Sequence, residues 1–268
     1  MAAAGRRPRP APGPPRQGRG QHFLRDGAIA RKIVADACLT SDDLVVDLGA
    51  GAGALTAPLA AVARQVWAVE IDSELAARLA RRFHKRRHVM VAAGDAVVHP
   101  LPSEAFRVVA NVPFAVTTAL LRRLLDPSRS RLARADVVVQ AEYARRRVAA
   151  ATGPRLDLLA ATWGPWWTFR LGRRLPAACF RPPPAVDAAV LVVERRADPL
   201  LPDPTFDSYA KAVRAAFTAR STCATPACGT GAATCSVDGL TTSRPVSVSS
   251  TQEPSMKSPR GGVKSMVM

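Results

Sequence analysis

Asn111-Val112-Pro113-Phe114 is the stretch of this chain best equipped for chemistry. It sets an amide, a carbonyl freed by a following proline and an aromatic ring side by side, directly after the apolar run Arg107-Val108-Val109-Ala110. Such a run reads as a buried strand, so these groups emerge together at a strand's carboxyl end, where open α/β sheets hold their ligands. The proline removes a backbone donor and fixes φ, which leaves neighbouring carbonyls free to point at something other than a ladder partner. In that setting Asn and Phe hold a flat polar ligand, one by its edge and the other by its face.

Three further groups recur at comparable places. Asp47-Leu48-Gly49-Ala50-Gly51-Ala52-Gly53 follows the run Leu44-Val45-Val46, and its glycines let backbone come close to a ligand. Their spacing is GxGxG, unlike the GxGxxG of dinucleotide folds. Glu70 closes the run Gln65-Val66-Trp67-Ala68-Val69, where an acid accepts both hydroxyls of a ribose. Asp95 follows the run His88 to Ala93 and suits the exocyclic amine of an adenine. One such acid alone is more often a cap or a solvated side chain. All of them in order, at the ends of successive strands, point to a ligand that contains adenosine but lacks phosphates, which two carboxylates would repel.

The elements that position these groups alternate. Strands at Leu44 to Leu48, Gln65 to Glu70, His88 to Ala93, Arg107 to Ala110 and Ala135 to Gln140 are separated by helical patterns. The helices are expected after Asp26 through Cys38, from Leu55 to Val62, from a Ser73 cap to Arg82, and from Thr117 to Leu125. Alternation of this kind predicts a mostly parallel, doubly wound α/β sheet. Past Gly153 lie a cluster of Trp163, Trp166 and Trp167 and a basic stretch from Arg170 to Pro176. A proline-stiffened loop from Phe180 to Val186, a last strand from Asp187 to Arg196 paired antiparallel, and a helix from Phe206 to Ala219 follow.

The expected domain limits are a disordered basic arm at 1–19, the main domain at 20–197, the start of a helical lobe at 198–220, and a disordered tail at 221–268. A chain of 268 residues with 48% hydrophobic residues suits one sizeable core and a small lobe. The net charge of +17, carried by Arg with only five Lys, points to a polyanionic partner, RNA or DNA before membrane. A GC-rich coding sequence explains Arg over Lys but not the excess of base over acid. No apolar segment is long enough to span a bilayer, and the Arg- and Pro-rich start has no apolar core of a secretory signal. Five Cys without a CxxC pair give neither a disulfide framework nor a metal site, so a cytoplasmic, metal-free protein is expected.

Gln21-His22-Phe23-Leu24 before the first helix, the GxGxG turn, Glu70, Gly94-Asp95 and Asn111 to Phe114 together resemble the S-adenosylmethionine-dependent rRNA adenine-N6 methyltransferases. Within that group the chain is most similar to the erythromycin-resistance (Erm) family, which modifies 23S rRNA. Gln140 to Arg146 and Phe180 to Val186 also resemble family motifs, and the likeness covers about residues 20 to 220. It implies a Rossmann-like methyltransferase fold with S-adenosylmethionine as cofactor and rRNA, 23S before 16S, as partner of a monomer. It also implies resistance of the macrolide-lincosamide-streptogramin B type.

Carried across residue by residue, the resemblance sets His22 and Leu24 against the cofactor at the lip, His22 standing where Asn is often found. Gly49 and Gly51 approach the methionine moiety, Glu70 the ribose, and Asp95 with Ala96 the adenine. Asn111 lies between sulfonium and target base. The Asn111 side-chain oxygen and the Val112 carbonyl, kept free by Pro113, accept from the target amine, while Phe114 stacks on the base. Phe180 is a candidate for the base's other face or a core aromatic. Arg122, Arg123, Arg145, Arg146 and Arg147 are expected to hold RNA phosphates. Three alternatives stand beside this reading: a small-subunit rRNA adenine dimethyltransferase, a non-catalytic nucleic-acid-binding protein on the same fold, and a small-molecule methyltransferase. Erm proteins end in a helical lobe of which this chain matches only the first helix, through Phe217-Thr218-Ala219-Arg220, so weak methylation is expected if the others matter.

Overall fold

The computed structural model of the protein describes residues 21–152 and 157–223. Backbone proximity divides the chain into Met1–Thr225 and Pro226–Met268, and every described element belongs to the first unit. The expected arm at 1–19 lies outside the described residues, as does all but the start of the expected tail at 221–268.

In chain order the elements are β1 (Phe23–Leu24), α1 (Gly27–Asp36), β2 (Leu44–Leu48), α2 (Thr56–Leu59) and β3 (Gln65–Glu70). Then come α3 (Ser73–Phe83), β4 (Val89–Ala93), β5 (Phe106–Ala110), α4 (Thr117–Leu124), β6 (Leu132–Gln140) and α5 (Ala141–Thr152). The last are α6 (Leu158–Trp163), β7 (Trp167–Leu175), β8 (Phe180–Arg181), β9 (Ala188–Arg195) and α7 (Phe206–Cys223). Seven strands form one sheet in the order β4-β3-β2-β5-β6-β9-β7. Strands β2 to β6 pair in parallel, and β9 alone runs against its neighbours β6 and β7. The doubly wound sheet with one late antiparallel strand is thus the fold that the alternation predicts.

The apolar runs of the strands divide between two cores because successive side chains point to opposite faces. Val46, Leu48, Val108, Ala110, Val137 and Val139 face one way with α4 to α7, whereas Val45, Val109 and Val138 face the other with α1 to α3. Asp26 caps α1 by accepting from the Ala28 amide at 2.8 Å. Asp72, not the expected Ser73, caps α3, accepting from the amides of Glu74 and Leu75. The helix expected from Leu55 to Val62 is only four residues long, and the chain tightens beyond it into turns from Ala61 to Pro58 and from Val62 to Leu59.

Two elements depart from the sequence expectation. The tryptophan cluster is the end of α6 and the start of β7: Trp166 and Trp167 are fully buried, and the Trp167 indole donates to the Leu125 carbonyl at 2.9 Å. The basic stretch after it is the rest of β7, an edge strand whose Arg170 and Arg174 are exposed. Charges on an edge strand prevent pairing with another chain, which is why a real strand here carries so weak an apolar signal. Trp166 also receives α7 through edge contacts with Phe206 and Tyr209 at 5.3 and 5.6 Å between centroids.

Candidate active site

Strand order reverses between β2 and β5, so the helices leaving these two strands go to opposite faces and a crevice opens above their carboxyl ends. The GxGxG turn after β2 and the Asn111 segment after β5 therefore meet. Gly49 adopts φ +75°, and a Cβ there would stand 3.3 Å from Val112 Cγ1 and 3.6 Å from the Asn111 carbonyl oxygen. Only glycine accommodates both the left-handed backbone and this approach.

A cleft with about 590 Å³ of open space lies over this junction. It brings together His22, Gly49, Glu70, Asp95, Ala96, Asn111, Val112 and Pro113 from separate loops, as the sequence expected. Leu24, Gly51 and Phe114 are not on its wall, and the Phe114 ring is partly buried against the core on the α1–α3 side of the sheet. Leu24 is buried beneath the lip beside a smaller pocket shared with Gly49 and Asn111, and Gly51 stands behind Glu70.

Glu70 is 3% exposed, and its carboxylate is held by backbone donors: the Gly51 amide on Oε2 at 2.7 Å and the Asp72 amide on Oε1 at 3.0 Å. Each oxygen retains a lone pair for a further donor. Asp95 accepts from the Val97 amide through Oδ1 at 2.8 Å. Below the glycine turn, Asp47 is 1% exposed and accepts from the Thr56 hydroxyl at 2.6 Å, while its Oδ1 has no partner among the described residues. Burial pushes this carboxyl up to about 7, the Thr56 hydrogen bond opposing and the Glu70 charge adding to the rise.

The Asn111 amide is oriented from outside its own strand. Its Nδ2 donates to the backbone carbonyl of His22 at 2.9 Å, which turns Oδ1 away from that carbonyl. His22 is in turn tied by a 2.8 Å hydrogen bond from Nδ1 to the Pro182 carbonyl, and its ring lies 5.8 Å from that of Phe114. Pro113, with φ −53° and ψ 135°, turns the chain into a short 3-10 segment from Phe114 to Val116. Among the described residues neither Asn111 Oδ1 nor the Val112 carbonyl has a hydrogen-bond partner.

Several expected RNA-binding residues need correction. Phe180 is 2% exposed and packs in the core against Leu24 across the β1–β8 pair, so it offers no open ring face. Side chains alternate along a strand, and Arg181 takes the outward position instead. Arg123 is turned inward and donates to the carbonyls of Ala96 and His99, which braces the loop that carries Asp95. Burial lowers the pKa of this guanidinium, with the Asp95 charge opposing. Arg147 pairs with Asp157 and covers the Tyr143 ring at 4.7 Å. Arg122 and Arg146 are exposed, and Arg145 is exposed but paired with Glu142 at 3.0 Å. Sequence reasoning missed Ile71, 63% exposed on the cleft wall beside Glu70; an apolar residue directly after a strand-ending acid is the signal that marks it.

The match to known proteins follows this geometry. The family model described as ribosomal RNA adenine dimethylase matches residues 15–225. The chain is 39% identical over 199 residues to the mycinamicin-resistance protein MyrB of Micromonospora griseorubida, covering 74% of this chain but only 62% of that protein. It is 37% identical over 221 residues to the ribosomal RNA small subunit methyltransferase A of Moorella thermoacetica, covering 77% of this chain and 76% of that one. Among solved structures it superposes on the 23S rRNA methyltransferase ErmE with a TM-score of 0.65 at 32% identity, over 73% of this chain and 79% of that one. With Asn111 on the wall of a cleft at the switch point, the chain belongs to the ribosomal RNA adenine dimethylase family, the S-adenosylmethionine-dependent rRNA adenine-N6 methyltransferases.

Proposed function

We propose that this chain methylates the N6 amine of an adenosine in 23S rRNA and thereby confers macrolide-lincosamide-streptogramin B resistance. The observation that carries the reading is the Asn111 amide, which lies on the cleft wall, is held through Nδ2 by the His22 carbonyl and has an Oδ1 without a partner among the described residues. MyrB and ErmE, named for mycinamicin resistance and for 23S rRNA, support the resistance branch.

The residues fit S-adenosylmethionine. Among the described residues no Lys or Arg lines the cleft, two carboxylates do, and Gly49 leaves a cradle that a Cβ would fill. That environment suits a sulfonium cation and repels phosphates. When bound, the cofactor supplies an electrophilic methyl group. Glu70 accepts from ribose hydroxyls, Asp95 from an adenine amine, with Ala96, Ile71 and Gly49 shaping the walls, Gly51 holding Glu70, and Leu24 and His22 closing the lip.

The target amine is a weak nucleophile because its lone pair is delocalised into the ring. Asn111 Oδ1 and the Val112 carbonyl accept hydrogen bonds from its two N–H groups, localise that pair and align it for in-line attack, and one of these protons leaves to solvent once the N–C bond has formed. Orientation and electrostatics, without a strong base, supply the rate. Phe114 stacks on the base, which must leave its helix or loop to be reached. Arg122, Arg145 and Arg146 contact phosphates, and α7 begins an RNA-binding lobe. The protein acts in the cytoplasm as a monomer.

A second reading, methylation of small-subunit rRNA, is favoured by the likeness to small subunit methyltransferase A. Reverse transcription across both rRNAs after treatment with the protein and cofactor separates the two. A new stop confined to 23S rRNA is expected, and one confined to 16S rRNA overturns the resistance reading.

A further inference from the structure

Arg123, Arg147, Arg134, Arg107 and Arg173 are tied up in internal contacts, so cations beyond Arg122, Arg145 and Arg146 are needed to meet RNA beside the cleft. The two-stranded ribbon of β1 and β8 adjoins the cleft, with Phe23 on the cleft wall. Phe23 pairs with Arg181, Leu24 with Phe180, and the Arg25 amide donates to the Cys179 carbonyl at 2.8 Å. Alternation sends Leu24 and Phe180 into the core and leaves Arg25 and Arg181 exposed.

Both arginines line one groove with Ala178, Phe180 and Pro183, about 950 Å³ of open space whose wall carries no acidic side chain among the described residues. Among the described residues neither guanidinium has a hydrogen bond or an ion pair, whereas Arg173 and Arg174 on the adjoining strand are spent on Asp36 and Asp187. The groove is mechanically continuous with the catalytic amide. Pro182, next to Arg181, accepts from His22, and the His22 carbonyl holds Asn111.

We propose that Arg25 and Arg181 form a two-point clamp for the RNA phosphodiester backbone flanking the target adenosine. The inference rests on the RNA-methylating reading above. A base drawn into the cleft brings its own phosphates to the rim, and a guanidinium fork binds phosphate oxygens through paired charge-assisted hydrogen bonds. Two forks that are unpaired among the described residues, side by side on one groove, meet that need. They also sit on the segment that orients Asn111, so grip on the backbone and alignment of the amide share one rigid ribbon.

The test uses the full chain with deproteinised 23S and 16S rRNA. Arg25→Gln, Arg181→Gln and the double variant are compared with Arg64→Gln, which removes a surface charge paired with Glu104. Affinity for the methylated rRNA, its salt dependence and S-adenosylmethionine affinity are measured for each. The double variant is expected to raise the RNA Kd at least tenfold and to reduce the salt slope by about 1.5, the contribution of two phosphate contacts. Cofactor affinity stays within twofold, which also reports an intact fold, and Arg→Lys at both positions restores most of the slope. An RNA Kd and slope equal to those of Arg64→Gln overturn the clamp. Failure of the unmodified chain to methylate either rRNA would instead overturn the underlying reading.

Discussion

Asn111 Nδ2 and the backbone carbonyl of His22, 2.9 Å apart, link the end of a central strand to a segment 89 residues earlier in the chain. One N–H of the amide is used in this contact, and Oδ1 is left as an acceptor without a partner among the described residues. Asn111→Asp sets an anionic oxygen against the His22 carbonyl and destroys that orientation. The expected loss is about 100-fold or more in kcat, the scale of a misaligned reacting group. Cofactor affinity should change far less, and single-turnover rates beside equilibrium titration check both.

The His22 side chain acts one step further back. His22→Ala keeps the carbonyl that holds Asn111 but removes the hydrogen bond to Pro182. Loss of one such bond is worth about 1 kcal/mol, so kcat/KM for RNA should fall about fivefold. Steady-state kinetics with rRNA check this; a loss as large as that of the Asn111 variant would show that the imidazole itself takes part.

Glu70→Gln changes the group that ties Gly51 to Asp72. An amide in its place turns a donor toward one of the two backbone N–H groups at 2.7 and 3.0 Å. A buried donor facing a donor costs about 1–3 kcal/mol. Thermal midpoint and S-adenosylmethionine affinity should fall together, the Kd rising at least tenfold in calorimetric titration.

Asp47 makes stability depend on pH. Its carboxyl moves from an ordinary 3.8 to about 7 on burial. Between these values the folded chain holds a proton that the unfolded chain has released. Stability from this group therefore falls as pH rises from about 4 to about 7 and is level above. Asp47→Asn removes the dependence. Its melting temperature should match that of the unmodified chain near pH 4 and exceed it at pH 8; equal differences at both pH values would contradict the assignment.

The sheet was legible in the sequence because parallel strands buried on both faces, such as Val137-Val138-Val139, read as unbroken apolar runs. The site was legible because it sits at the ends of those runs, where Gly49, Glu70, Asp95 and Asn111 interrupt them. Strand β7 was not, since Arg170, Gly172, Arg173 and Arg174 give an edge strand the look of a basic loop. The fates of Arg123 and Phe180 were also hidden. One depends on the carbonyls of Ala96 and His99, far along the chain, and the other on a two-residue alternation too short to register as a period.

Asn111 is proposed to present an acceptor to an adenine amine of rRNA. Transfer of labelled methyl from S-adenosylmethionine to 23S and 16S rRNA in parallel, with the unmodified chain and with Asn111→Ala, tests it most directly. Label is expected in 23S rRNA, recovered as N6-methylated adenosine, and none from Asn111→Ala although that variant still binds RNA and cofactor. Undiminished transfer by Asn111→Ala, or label on any atom other than adenine N6, would contradict it.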